Sequence, residues 1–186
     1  MTEDGKTALW ALVAAFATVA AVLAARKIYS LMSKKELENM ASEGGTVQPV
    51  VGRVSSPYGY RTHPVTGQKT SFHGGTDIAV IVGTPVRAPW DGVVKSYYLD
   101  QTYGGGQTMI VKHDNGYQTG YCHLSGKPDS IEVGSQVQAG DIICYSGGDP
   151  ANQPMSGSST GPHLHVSLRN RLGQRIDPQT AFNFQS

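Results

Sequence analysis

His163-Leu164-His165, near the end of the chain, sets two imidazoles two residues apart. On a β-strand that spacing sends both side chains from one face, about 6.5 Å apart along the strand. One metal ion can be reached by either or both. Far upstream, His73-Gly74-Gly75-Thr76-Asp77 adds another imidazole and a carboxylate. In an extended strand residues 73 and 77 would stand about 13 Å apart, too far to share an ion with bonds near 2 Å. The two adjacent glycines disfavour a helix and permit a sharp bend that would bring the pair together. Imidazole and carboxylate are zinc donors, and three of them leave a position open for water, as a hydrolytic centre needs. A histidine outside the ligand set would then be free to move protons.

The other histidines read differently. His123, in Tyr121-Cys122-His123-Leu124, ends a strand-like run. Alternation puts it on the face of Tyr121. His63 precedes Pro64 and His113 precedes a turn, and both read as solvated structural residues. Cys122 and Cys144 each lie in an apolar run and read as small buried side chains, with a disulfide between neighbouring strands left open. Two cysteines exclude a four-cysteine zinc site. Cys122 and His123, adjacent on a strand, should face opposite ways and make no catalytic dyad.

These side chains need rigid short elements to hold them. From Pro49 onward the chain reads as strands: Gly92–Leu99, Gln107–His113, Tyr117–His123, Val137–Tyr145 and His163–Arg169. Asp114-Asn115-Gly116 has hairpin-turn chemistry. Ile78-Ala79-Val80 continues Asp77 as a strand-like wall. The chain's 23 glycines, with Pro, Asn and Asp at short intervals, favour many turns. No strand–helix alternation appears, so a doubly wound parallel sheet is excluded in favour of an all-β, antiparallel sandwich or partly open barrel. The net charge of +1 over 186 residues argues against a nucleic-acid surface.

The N-terminal part has another character. Ala8 to Ala25 carries no charge and is rich in alanine. As a helix it would reach about 27 Å, close to the hydrocarbon thickness of a bilayer. Residues 1–6 read as a tail, 7–25 as a transmembrane anchor, and 26–48 as a helical stalk and linker before a domain over 49–183. A cleaved signal peptide fits less well, because Arg26-Lys27 directly follows the apolar run. The basic flank of Arg26, Lys27, Lys34 and Lys35 favours a cytoplasmic C-terminal side.

The whole pattern resembles the lysostaphin-like (LytM-type, M23) peptidoglycan endopeptidases. Gly52-Arg53-Val54-Ser55-Ser56-Pro57-Tyr58-Gly59-Tyr60-Arg61-Thr62-His63-Pro64 is similar to their opening, followed by His73-Gly74-Gly75-Thr76-Asp77. Tyr121-Cys122-His123-Leu124, Val133-Gly134-Ser135-Gln136-Val137 and Ser159-Thr160-Gly161-Pro162-His163-Leu164-His165 continue it, so that residues 50 to 182 are covered. The resemblance implies a LytM-type fold and a zinc ion held by His73, Asp77 and His165. It implies His123 and His163 as the catalytic pair, and hydrolysis of peptide cross-links or stem peptides of the bacterial wall. Two departures stand out. The stretch from Gly147 to Ser158 is longer than usual and should form a groove wall. Cys122 stands where a small residue is common.

Peptidoglycan peptides and the membrane are therefore the expected partners. The domain is expected to face the periplasm and wall. A phage protein, in the virion or in a lysis complex, would reconcile the basic flank with a wall substrate. The alternative is a catalytically inactive LytM-like activator module tethered to the membrane, although all five key residues are present. A biotinyl- or lipoyl-type carrier, suggested by Val133-Gly134 through Gly140-Asp141, lacks the lysine it would need.

Overall fold

A computed structural model describes residues 46–61 and 71–184. Its strands are β1 (Arg53–Ser56), β2 (Gly59–Arg61), β3 (Ser71–His73), β4 (Thr76–Ala79), β5 (Pro85–Arg87), β6 (Gly92–Asp100), β7 (Gly106–His113), β8 (Gln118–Cys122), β9 (Leu124–Gly126), β10 (Gln136–Val137), β11 (Ile142–Ser146), β12 (Leu164–Arg169) and β13 (Arg175–Ile176). The only helical element among the described residues is a 3-10 turn at Pro178–Thr180.

Eight strands form one sheet in the order β1-β4-β12-β8-β7-β6-β10, with β13 added to β12. A second sheet is β5-β11-β9, and β2-β3 is a separate ribbon. All pairings are antiparallel. The two larger sheets share one core, so the described residues adopt the expected all-β antiparallel architecture. From the large sheet come Ile78, Val94, Met109, Val111, Tyr121, Leu164, Val166 and Leu168, and from the smaller one Val86, Ile143, Cys144 and Leu124.

Strand alternation divides the large sheet into two chemistries. In β12, Leu164, Val166 and Leu168 are fully buried, while His165, Ser167 and Arg169 take the other face. Each such buried aliphatic side chain contributes about 1.5–3 kcal/mol. A one-residue slip would expose that apolar set and bury the histidine. The packing of β12 therefore fixes the direction of His165.

Two sequence expectations change, and one left open is settled. Val137–Tyr145 is not one strand. Gly140, at φ +91°, turns the chain, and Gln138 and Asp141 close the turn (Asp141 N–H to Gln138 O, 3.0 Å; Gln138 N–H to Asp141 Oδ2, 2.8 Å). β10 thus joins the large sheet and β11 the small one. His113 is not solvated but 2% exposed. Its Nδ1–H donates to Trp90 O at 3.1 Å, and its Nε2 accepts from Thr119 Oγ1–H at 2.8 Å. The two cysteines do not pair: Cys144 is buried in the core and Cys122 is free on the opposite face of the large sheet.

The expected tail, anchor and most of the stalk, together with His63, lie outside the described residues. Among the described residues no helix is long and apolar enough to cross a membrane. Thr46 and Val47 already pack on the domain, through Trp90 Nε1–H to Thr46 Oγ1 at 3.3 Å and Val47 N–H to Pro89 O at 3.1 Å.

Candidate metal centre

The polar face of the large sheet is a cleft of about 900 Å³. Its floor is a lateral row of register partners, Ser56, Asp77, His165 and Cys122, on β1, β4, β12 and β8. Asp77 and His165 are thus direct cross-strand neighbours.

His73 arrives from a different element. It ends β3, and the chain bends through Gly74-Gly75 before β4 begins. His73 Nε2 and Asp77 Oδ1 consequently stand 3.1 Å apart. Gly75 has a second role that spacing did not reveal. A Cβ there would lie 2.3 Å from Val166 O and 2.5 Å from His165 Nε2. The His165 ring lies where a side chain on residue 75 would be.

His73 Nε2, Asp77 Oδ1 and His165 Nδ1 converge, at 3.1, 2.8 and 3.0 Å from one another. Among the described residues these three make up a group able to hold a metal ion. The donor chemistry fits zinc. Donors around a tetrahedral ion with bonds of about 2.0–2.1 Å are about 3.3–3.4 Å apart, so these need separate by only a few tenths of an ångström. His73 Nδ1–H donates to Pro57 O at 2.8 Å, which leaves Nε2 with its lone pair toward the site. Asp77 Oδ2 is 3.5 Å from Arg61 Nη2, which turns Oδ1 toward the histidines. Burial alone would raise the Asp77 carboxyl. The hydrogen bonds and charges of His165 and His73 outweigh that and hold it well below the usual carboxylate range. Burial pushes His165 down, which keeps its ring neutral and able to act as a donor.

His163 and His123 stand beside this group. His163 Nε2 is 3.9 Å from Asp77 Oδ1, and the rings of His163 and His123 have centroids 4.6 Å apart. Each has its Nδ1 on a backbone carbonyl: His163 on Gly161 O and His123 on Ser156 O, both at 2.8 Å. Both therefore carry hydrogen on Nδ1 and present the Nε2 lone pair. Burial, with the neighbouring His163 and His165, pushes His123 down to about 4. It is neutral near pH 7 and competent to accept a proton.

The strand-face expectation for His123 was wrong. Tyr121 is fully buried in the core, whereas His123 lines the cleft together with Cys122. β8 ends at Cys122, and His123 takes φ +59°, a left-handed state that swings its side chain to the polar face. The two neighbours thus share a face, but they make no nucleophilic pair. Burial pushes the Cys122 thiol up to about 11, so it is not a thiolate near neutrality. Of the long stretch from Gly147 to Ser158 only Ser158 lines the cleft, and the wall there is formed by Ser159 to Pro162, which follow it. Arg61 and the carbonyls of Pro57, Ser156 and Gly161 were not singled out from sequence. A carbonyl carries no side-chain signature, and nothing in the sequence marks Arg61 as a partner of Asp77.

An antiparallel sheet with a His-Asp-His centre and two unliganded histidines defines a class of metal-dependent hydrolases. The chain belongs to peptidase family M23, which its residues 71–178 match. It is 38% identical over 136 residues to the DD-carboxypeptidase/endopeptidase Mpg of Neisseria meningitidis, a match covering 73% of this chain and 28% of that protein. The chain therefore spans about a quarter of that relative's length. Among solved structures it is similar to the catalytic domain of lysostaphin from Staphylococcus simulans (TM-score 0.57, 29% identity, covering 69% of this chain and 90% of that one). It is also similar to a zinc-containing peptidase from Vibrio cholerae (TM-score 0.58, 30% identity, 72% and 39% covered).

Proposed function

We propose that this chain is a zinc-dependent endopeptidase that hydrolyses peptide cross-links or stem peptides of bacterial peptidoglycan. The observation that carries this reading is the convergence of His73, Asp77 and His165 beside two histidines whose Nε2 atoms are free. The relatives named above, a DD-carboxypeptidase/endopeptidase and lysostaphin, support the substrate class.

When bound by His73, Asp77 and His165, zinc supplies Lewis-acid polarisation and lowers the pKa of water near the site. The chain's own residues do the rest. The cleft holds the peptide across β1, β4, β12, β8, β7 and β6. His163 and His123 accept the proton of the attacking water and return one to the leaving amine. Arg61 keeps the Asp77 carboxylate oriented. An inactive activator module would have no need of all five residues in working geometry.

The test is a digest of purified peptidoglycan by the full chain, read by mass spectrometry. Cleavage at a peptide bond is expected, abolished by chelation and by His165→Ala, and restored by zinc in the unmutated chain only. Undiminished cleavage after thorough chelation would overturn the reading.

For location, the uncharged run Ala8–Ala25 supports a membrane tether, and a wall substrate calls for the domain to face the wall. The basic residues after it favour the opposite sidedness. A phage protein that meets the wall at entry or lysis satisfies both. Protease treatment of intact spheroplasts separates the two topologies: a domain displayed in the periplasm is cleaved, and a cytoplasmic one is protected.

A further inference from the structure

We infer that residues 149–158 form a positioning loop for His123, and that Gly106 and Ser156 are the residues through which it acts. The inference rests on the proposed role of His123 in proton transfer and specifies what that role requires.

His123 reaches the cleft only through its φ of +59°. For a residue with a side chain this state costs about 1–2 kcal/mol, so surrounding contacts must hold it. Two contacts do so. The His123 N–H donates to Gly105 O at 2.8 Å, and its ring Nδ1–H donates to Ser156 O at 2.8 Å. Neither acceptor belongs to its own strand. One lies in the β6–β7 turn, the other in the loop between β11 and β12.

Those two segments are joined backbone to backbone. Gln107 N–H donates to Met155 O at 2.7 Å, and Ser158 N–H donates to Gly104 O at 2.8 Å. The approach is so close that it demands glycine on both sides. A Cβ on Gly106 would lie 2.1 Å from Met155 O, and one on Gly157 would lie 2.3 Å from Gly104 O. Both glycines also have positive φ, +62° and +56°. Inside the loop, Asn152 N–H bonds Asp149 O and Ser156 N–H bonds Asn152 O, at 2.9 and 3.0 Å. The Ser156 hydroxyl, on a residue 2% exposed, donates to Asp149 O as well. The Ser156 carbonyl is therefore fixed from several directions.

His163 provides the contrast. Its acceptor, Gly161 O, is two residues away and follows from local chain geometry. The acceptor for His123 is 33 residues away and exists only while the loop is stitched to the turn. With hydrogen on Nδ1, the Nε2 lone pair faces the cleft. In the other tautomer an Nδ1 lone pair would face the Ser156 carbonyl oxygen, which is repulsive. The loop thus selects both the orientation and the tautomer of His123.

The test uses the full, zinc-loaded chain with ¹⁵N-labelled histidine. Long-range ¹H–¹⁵N correlation spectra are expected to show His123 protonated at Nδ1. Gly106→Ala is expected to mix the two tautomers and lower kcat at least tenfold on a wall-derived peptide. KM should stay within twofold, with one zinc per chain retained. Ser156→Ala, which adds no bulk and keeps the tautomer measurable if Gly106→Ala does not fold, should shift the same signals and lower kcat several-fold. An unmutated chain with His123 protonated at Nε2 would overturn the inference. So would a Ser156→Ala chain with unchanged tautomer and turnover. A chain that cleaves no wall peptide would sink the enzymatic reading, while the tautomer pattern still decides this one.

Discussion

The Nε2 of His73 stands 3.0 Å from the Nδ1 of His165, and both face the same oxygen of Asp77. Because His73 spends its Nδ1–H on Pro57 O, its Nε2 has no hydrogen in the neutral ring. Two ring nitrogens at this distance repel unless a proton or a cation lies between them. The Asp77 carboxylate, which can only accept, holds such a proton on His165 Nδ1, so metal binding must displace it and should compete with protons. At zinc a thousandfold above Kd, linkage gives about 4 kcal/mol of added stability. That corresponds to a rise in Tm of roughly 10 °C or more. Thermal melts of chelated and zinc-loaded protein check this, and equal melting temperatures would show that no metal is held.

Gly75 makes a sharper test of the bend. Its replacement by Ala would drive a Cβ into the backbone carbonyl of Val166 and the ring of His165. Neither can yield without moving a metal donor. Gly75→Ala is expected to cost about 1–3 kcal/mol as overpacking. Zinc affinity should weaken at least tenfold, measured by competition with a chromophoric chelator. Unchanged affinity would mean that the His165 ring has another place to go.

Much of this centre was legible in the sequence because side-chain period and turn chemistry act locally. Alternation in β12 set His165 opposite Leu164 and Val166, and Gly74-Gly75 signalled the bend between His73 and Asp77. The divergence came where a single backbone angle or a distant segment decides. The positive φ of His123 reverses the face that alternation assigns. Val137–Tyr145 reads as one strand, yet Gly140 passes the chain from one sheet to the other. His113, beside a turn, reads as solvated, but its ring is buried between Trp90 and Thr119. The carbonyls that fix His73, His123 and His163 could not be read at all, since every residue has one.

His113 links the fold to pH. Burial pushes it down to about 4 from an ordinary value near 6.5. A depressed histidine binds fewer protons folded than unfolded across that interval. Its contribution is complete above about pH 6.5 and is lost as pH falls toward 4. The loss is on the order of 3 kcal/mol. Denaturant unfolding of chelated protein between pH 7.5 and 4 should show this decline, and His113→Gln should flatten part of it. Burial of His123 adds a similar slope in the same window, so the variant should not abolish it. A variant with the unaltered slope would place the titration elsewhere.

The closing prediction separates the two histidines of β12 and its edge. They leave the same face, two residues apart, yet their nitrogens are used differently. His165 Nδ1 is 2.8 Å from Asp77 Oδ1 and 3.0 Å from His73 Nε2, inside the donor cluster. His163 Nε2 is 3.9 Å from the same oxygen, and its other nitrogen is held by Gly161 O. That is a place beside the donors, outside the three whose atoms converge closely enough to hold an ion. His165→Ala should lose zinc and activity together. His163→Ala should keep one zinc per chain and lose turnover by about a hundredfold or more, the range for removing a proton-transfer group. Zinc content by atomic spectrometry and kcat on one peptide decide it. Loss of zinc from His163→Ala, with zinc kept in His165→Ala, would exchange the two roles.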